Sequence, residues 1–115
     1  MGCFSNAFAN RPLETELIAS ELAAIKKEVL AACRPARIMV FGSAARGEAR
    51  VGSDLDIAVF AASKAELPEL RRRVLTVVTA KALPVDWVFA DLESLHDRAA
   101  SHGILAQILQ DGKDL

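Results

Sequence analysis

A short apolar run, Arg37-Ile38-Met39-Val40-Phe41, ends at Gly42-Ser43, and ten residues further on Asp54-Leu55-Asp56 opens a second apolar run. That spacing constrains the chain more than any other feature of it. The first run is short, branched and aromatic enough for a buried strand. Such a strand delivers the backbone into a glycine turn. Glycine has no Cβ, so the chain there can approach a phosphate, and Ser43 adds a hydroxyl and an N–H donor at the start of a short helix through Ala45. Past the turn-forming Gly52-Ser53, the segment from Asp54 to Phe60 reads as a second strand. Its period of two puts Asp54 and Asp56 on one face and Leu55, Ile57 and Val59 on the other. Two carboxylates at that interval repel unless a cation sits between them, and hard oxygen donors select Mg²⁺ or Mn²⁺ over zinc.

A third acid is available in Pro84-Val85-Asp86-Trp87-Val88-Phe89, again of strand character. Val85, Trp87 and Phe89 share one face, so Asp86 points the other way with Val88. If this strand lies beside the Asp54 strand, the three carboxylates converge; the alternative is an edge strand that simply exposes Asp86 to water. A converged set suits two ions about 3.5–4 Å apart, clamping the attacking and leaving oxygens of an in-line phosphoryl or nucleotidyl displacement. Arg46 in the intervening loop is a candidate for neutralising phosphate charge, although an arginine in a polar loop is also an ordinary surface residue.

The block Phe41-Gly42-Ser43-Ala44-Ala45-Arg46-Gly47-Glu48-Ala49, then Ser53-Asp54-Leu55-Asp56, then Val85-Asp86, resembles the minimal nucleotidyltransferases of the DNA polymerase β superfamily. Their pattern is Gly-Ser, ten residues, Asp-x-Asp and a later lone Asp. The resemblance implies an α/β (α+β) core with a small mixed sheet covered by helices, and a single domain over residues 1–115. It further implies that Gly42 and Ser43 seat the nucleotide phosphates. Asp54 and Asp56 would bind two Mg²⁺ ions, while Asp86 would complete the metal site and help activate the attacking hydroxyl. Where family members commonly carry Arg or Tyr, this chain has Ala44. Many such proteins resemble the antitoxin of a pair whose partner is a helical HEPN toxin, which implies transfer of AMP from ATP to a tyrosine of that partner. Two alternatives stay open: an antitoxin that silences its partner by occlusion alone, and nucleotidyl transfer to a small molecule such as an aminoglycoside.

The charge balance narrows the partners. With 14 basic and 15 acidic side chains and a formal net charge of −1, there is no general electrostatic reason to bind long nucleic acid. Cys3 and Cys33 make neither a Cys-x-x-Cys element nor a disulfide framework, so a cytoplasmic setting is expected. No transmembrane run or signal peptide is expected, and residues 1–10 read as a loose end.

The remaining segments read as helices around the strands. Leu17, Ile18, Leu22, Ile25, Val29 and Leu30 form a helical stripe opened near Asn10-Arg11-Pro12 and closed by Arg34-Pro35. Ser63 and Glu66 have capping-box spacing ahead of a helix reaching about Thr79, with Pro68 favouring a later start. Arg71-Arg72-Arg73 reads as a solvated face of that helix, and Cys33 as a small buried residue. A short helix from Asp91, a break near Ser101 to Gly103 and a last helix ending at Asp111-Gly112 complete the chain. His96 and His102 lack metal-ligand spacing, and Trp87 reads as core.

Overall fold

The computed structural model describes residues 15–49, 53–77, 83–98 and 103–115. The expected loose end at residues 1–10, the helix start near Pro12, and His102 lie outside them. Helix α1 (Thr15–Ala32) is followed by β1 (Arg37–Phe41), a one-turn helix α2 (Gly42–Ala45) and β2 (Leu55–Ala61). A 3-10 turn (Lys64–Glu66) then leads into α3 (Leu67–Val77), β3 (Val85–Asp91), α4 (Leu92–Arg98), α5 (Ile104–Asp111) and a two-residue β4 (Lys113–Asp114).

The sheet has the order β3-β2-β1-β4, with β2 and β3 parallel and the other two pairings antiparallel. This is the small mixed sheet that the sequence implies. Alternation along β1 and β2 divides the core by face. Ile38, Val40, Leu55, Ile57, Val59 and Ala61 pack with Ile25 and Val29 of α1 and Leu70 and Val74 of α3. On the opposite face, Met39, Phe41, Ala58 and Phe60 pack with Leu95 of α4 and Ile108 of α5. Ile25, Leu55, Ile57, Phe60 and Ile108 are fully buried, and each side chain of this size contributes about 1.5–3 kcal/mol relative to exposure.

Helix α1 buries Ile25 and Val29 of the stripe read from its sequence and partly buries Ile18 and Leu22, while Leu17 and Leu30 are exposed; Cys33 caps its end by donating its thiol to the Val29 carbonyl at 3.4 Å. Cys33 is half-buried, and burial pushes its thiol up from its ordinary value. The reading of α3 needs correction at its start. Ser63 makes no side-chain cap; its carbonyl instead accepts the Glu66 N–H at 3.2 Å in the 3-10 turn, and the α-helix begins at Leu67. Pro68, which needs no N–H partner in a first turn, sets that later start. Arg71, Arg72 and Arg73 are exposed, as expected of a solvated face, and Arg72 and Arg73 both bond Glu69.

The side-chain cap that does form is at Asp91. It is 2% exposed at the end of β3, and its carboxylate accepts the Ser94 backbone N–H at 3.0 Å and the Ser94 hydroxyl at 2.8 Å. These bonds start α4 and hold the Asp91 carboxyl below the usual carboxylate range. Strand β4 has no counterpart in the sequence reading. It pairs Met39 with Asp114 and Val40 with Lys113, and Arg37 grips Asp114 through Nε at 2.7 Å. Two residues carry no periodic signal by which a strand could be recognised.

Candidate active site

The register of the sheet decides whether the three acids meet. In β2 and β3 the paired residues are Leu55 with Val85 and Asp56 with Asp86, so two of the acids stand directly side by side on adjacent parallel strands. The face is the one that carries Ala58 and Val88 further along. The acids occupy the end of this face nearest the Gly42 turn, since Phe41 is the β1 partner of Asp56. Asp54 lies one residue ahead of β2, which begins at Leu55, so it belongs to the incoming loop instead of the strand itself. Asp86 is exposed on the edge strand β3, as its solvated alternative required, yet it stands directly beside Asp56 on the neighbouring inner strand.

Electrostatics tie the three together. The Asp56 carboxyl is half-buried and held above the ordinary carboxylate range, first by burial, then by the charges of Asp86 and Asp54. Arg46 pulls it the other way. A carboxylate raised by two neighbouring carboxylates is a site that lacks positive charge. Among the described residues no three acids, histidines or cysteines are already drawn into ligating positions. The donor set is nonetheless all carboxylate oxygen, which fits Mg²⁺ or Mn²⁺; Mg²⁺ takes only one or two protein carboxylates and completes its shell with water and substrate phosphates. A preformed three-acid cage is not what such an ion needs.

Gly42 is fixed by the same cluster. Its φ is +70°, in the left-handed region, and a Cβ there would collide with Asp56 Oδ2 and lie 3.2 Å from Asp56 Cγ. Glycine is therefore required twice over, by backbone conformation and by the carboxylate lying against its Cα. The turn continues into α2, which the structure starts at Gly42 and closes with Arg46 N–H donating to the Gly42 carbonyl at 3.1 Å. The opening N–H groups of a helical turn have no partner within it, so Ser43 and Ala44 present donors beside the acids. Ser43 is half-buried.

Arg46 follows directly. Its Nε donates to Glu48 Oε2 at 3.1 Å and its Nη1 to Asp111 Oδ2 at 2.8 Å. Asp111 is a site residue that sequence reasoning passed over, because 65 positions separate it from Arg46. One signal was available: an acid in the last turn of a helix opposes the helix dipole and needs a cation nearby.

A cavity of about 370 Å³ lies at the other end of β2, lined by Cys33, Arg34, Ala61, Glu66, Glu69 and Arg73 among others. It contains none of the acids named above. Glu69 in its wall is already bonded by Arg72 and Arg73.

The profile of the nucleotidyltransferase domain family matches residues 22–111 of the chain. No curated protein matches it in sequence. In structure it is similar to a candidate nucleotidyltransferase from Sulfolobus solfataricus, with a TM-score of 0.59 and 20% identity over 89% of this chain and 86% of that one. At that identity the likeness is one of fold. It is also similar to a chain of a toxin-antitoxin solved with AMP-PNP, with a TM-score of 0.45 and 23% identity over 89% of this chain and 72% of that one. So loose a superposition supports no argument.

Proposed function

The chain belongs to the nucleotidyltransferase domain family and has its polymerase β-like fold, and from that premise we propose a Mg²⁺-dependent transfer of AMP from ATP to a hydroxyl. The observation that carries the reading is the register pairing Asp56 with Asp86, with Gly42 packed against the Asp56 carboxylate. Asp54, Asp56 and Asp86 would hold the divalent ions, which when bound offset charge that develops on the phosphates. Gly42 and Ser43 give the donor's phosphates a close backbone approach and N–H donors. Asp86, exposed at the strand edge, accepts the proton of the incoming hydroxyl. The hydroxyl oxygen bonds to the α-phosphorus, the bond from that phosphorus to the bridging oxygen of the β-phosphate breaks, and pyrophosphate leaves with the electron pair. The proton passes from Asp86 to water.

For the acceptor, the resemblance of the Gly42-Ser43, Asp54-x-Asp56 and Asp86 pattern to the minimal nucleotidyltransferases implies a tyrosine of a HEPN-type toxin, with this chain as the cytoplasmic antitoxin. Among the described residues no helix is long and apolar enough to cross a membrane. Incubation with α-labelled ATP, Mg²⁺ and the protein encoded by the adjacent reading frame tests both levels. Label should move onto that protein, with a mass gain of one or more AMP units, and Asp56→Asn should abolish transfer. Protection of cells by Asp56→Asn co-expressed with the partner would favour occlusion, and transfer only to a small hydroxyl compound would remove the protein acceptor. Full transfer by Asp54→Asn or Asp56→Asn would end the metal-site assignment.

A further inference from the structure

We propose that Asp111 is a positioning residue for Arg46: from the end of α5 it holds the guanidinium beside the acid cluster, where the donor's phosphates enter. The inference rests on the nucleotidyl-transfer reading for what Arg46 does there, and on the geometry alone for what holds it.

Three features single out Asp111. Of the two carboxylates on Arg46, Glu48 is 59% exposed and Asp111 is 17% exposed, with the arginine at 39%. An exposed pair only two residues apart is weak and screened by salt, whereas the drier Asp111 contact at 2.8 Å is the stronger anchor. Asp111 is also firmly placed. Ile108, one turn earlier, is fully buried, the Gly112 N–H donates to the Ile108 carbonyl at 2.7 Å, and a Cβ at Gly112 would lie 2.7 Å from Met39 Cε. The chain then continues directly into β4, paired on β1. Finally, Asp111 ends a helix whose last turn has no basic residue, so the helix's own partial negative charge adds to its pull on a cation.

The guanidinium offers five N–H donors in a rigid plane, and Glu48 and Asp111 use two of them. Among the described residues no other acceptor is bonded to the rest of the fork, which can take a further acceptor. Arg46 also lies close enough to Asp56 for its charge to act on that carboxylate. A guanidinium fixed in place loses less freedom when it meets a phosphate oxygen than one that must first be ordered. Asp111 thus couples the C-terminal helix to the nucleotide turn without touching nucleotide itself.

The test is a double-mutant cycle in the full chain with Arg46→Ala and Asp111→Ala, together with Asp111→Glu. Transfer from ATP is read as kcat and KM separately, and thermal melting is followed in parallel. Asp111→Ala should raise the KM for Mg²⁺-ATP about 5- to 20-fold with little change in kcat. The double variant should be no worse than Arg46→Ala alone, and Asp111→Glu should restore most of the loss. An Asp111→Ala effect that persists in full in the Arg46→Ala background overturns the proposal, as does a lower melting temperature with unchanged KM. A second readout is independent of activity: the Arg46 side-chain N–H signals in nitrogen-15 NMR spectra of the free protein. Asp111→Ala should loosen them and Glu48→Gln should not; unaltered signals in Asp111→Ala defeat the proposal. Loosened signals with no ATP bound by the wild-type chain sustain the anchoring and reject the nucleotidyl-transfer reading alone.

Discussion

Two carboxylates, one on a strand of the sheet and one on a helix packed against it, are treated in opposite ways. Asp56, at the head of β2, has its carboxyl raised by burial and by two neighbouring acids. Glu69, on α3 beyond the other end of that strand, is bonded by Arg72 and Arg73 and lowered to about 2. Both sites could have been neutralised by arginines from within the chain. Only Glu69 is. Arg46, whose charge acts on Asp56, is bonded instead to Glu48 and Asp111. An acid cluster left short of positive charge is unfavourable in the isolated protein, and it persists where an incoming cation makes up the deficit.

The largest effects should come from breaking the Asp56 end. Asp54→Asn or Asp56→Asn should reduce AMP transfer by about 10³-fold or more, measured with α-labelled ATP, because a carboxylate that holds the ions has no substitute. Gly42→Ala comes next. It forces a residue with a Cβ to φ +70° and against the Asp56 carboxylate, so we expect a loss of about 1–3 kcal/mol in urea unfolding and about 10²-fold in transfer. A control in the core separates the two readouts: Ile25→Ala, at a fully buried position, should cost about 2–5 kcal/mol while leaving transfer per folded molecule near wild type.

Smaller and more diagnostic effects concern pH. A raised Asp56 means that its contribution to stability is full below the unfolded carboxylate value and is lost as pH rises through the folded value. At neutral pH without divalent ions, Asp56→Asn should therefore melt slightly higher than wild type, by on the order of 1 kcal/mol or less. Mg²⁺ should raise the melting temperature of the wild type and leave that of the variant nearly unchanged. Glu69 behaves with the opposite sign. Its lowered carboxyl favours folding above about 4.5 and loses that contribution as pH falls towards about 2. Because Glu69 is half exposed, Glu69→Gln should be the mildest change of all, visible only as a flatter acid limb of the melting curve.

What could be read from the residues follows the range of the interactions. Strand periodicity and the Gly42-Ser43 interval are local, and they carried the two apolar strands, the facing of Asp56 and the opposite facing of Asp86 from Trp87. Asp56 and Asp86 share a sheet position because of a parallel pairing that no local pattern specifies, and that register came only with the structure. The start of α3 turns on a competition between two local signals, of which Pro68 wins. Ser63 has the spacing of a cap, but Pro68 moves the helix start, while the real side-chain cap, Asp91, is also the last residue of a strand. Arg37 with Asp114, and Arg46 with Asp111, join residues 77 and 65 positions apart, where sequence spacing carries no information.

The account stands on divalent ions gathering the three carboxylates at the head of β2 and β3. A crystal structure of the chain soaked with Mn²⁺ and a non-hydrolysable ATP analogue, with the metal located by anomalous scattering, tests this directly. We expect metal density bound by Asp54 and Asp56, with Asp86 beside it and the analogue's phosphates against Gly42 and Ser43. Metal or nucleotide lodged elsewhere, with Asp56 and Asp86 free of both, would contradict it.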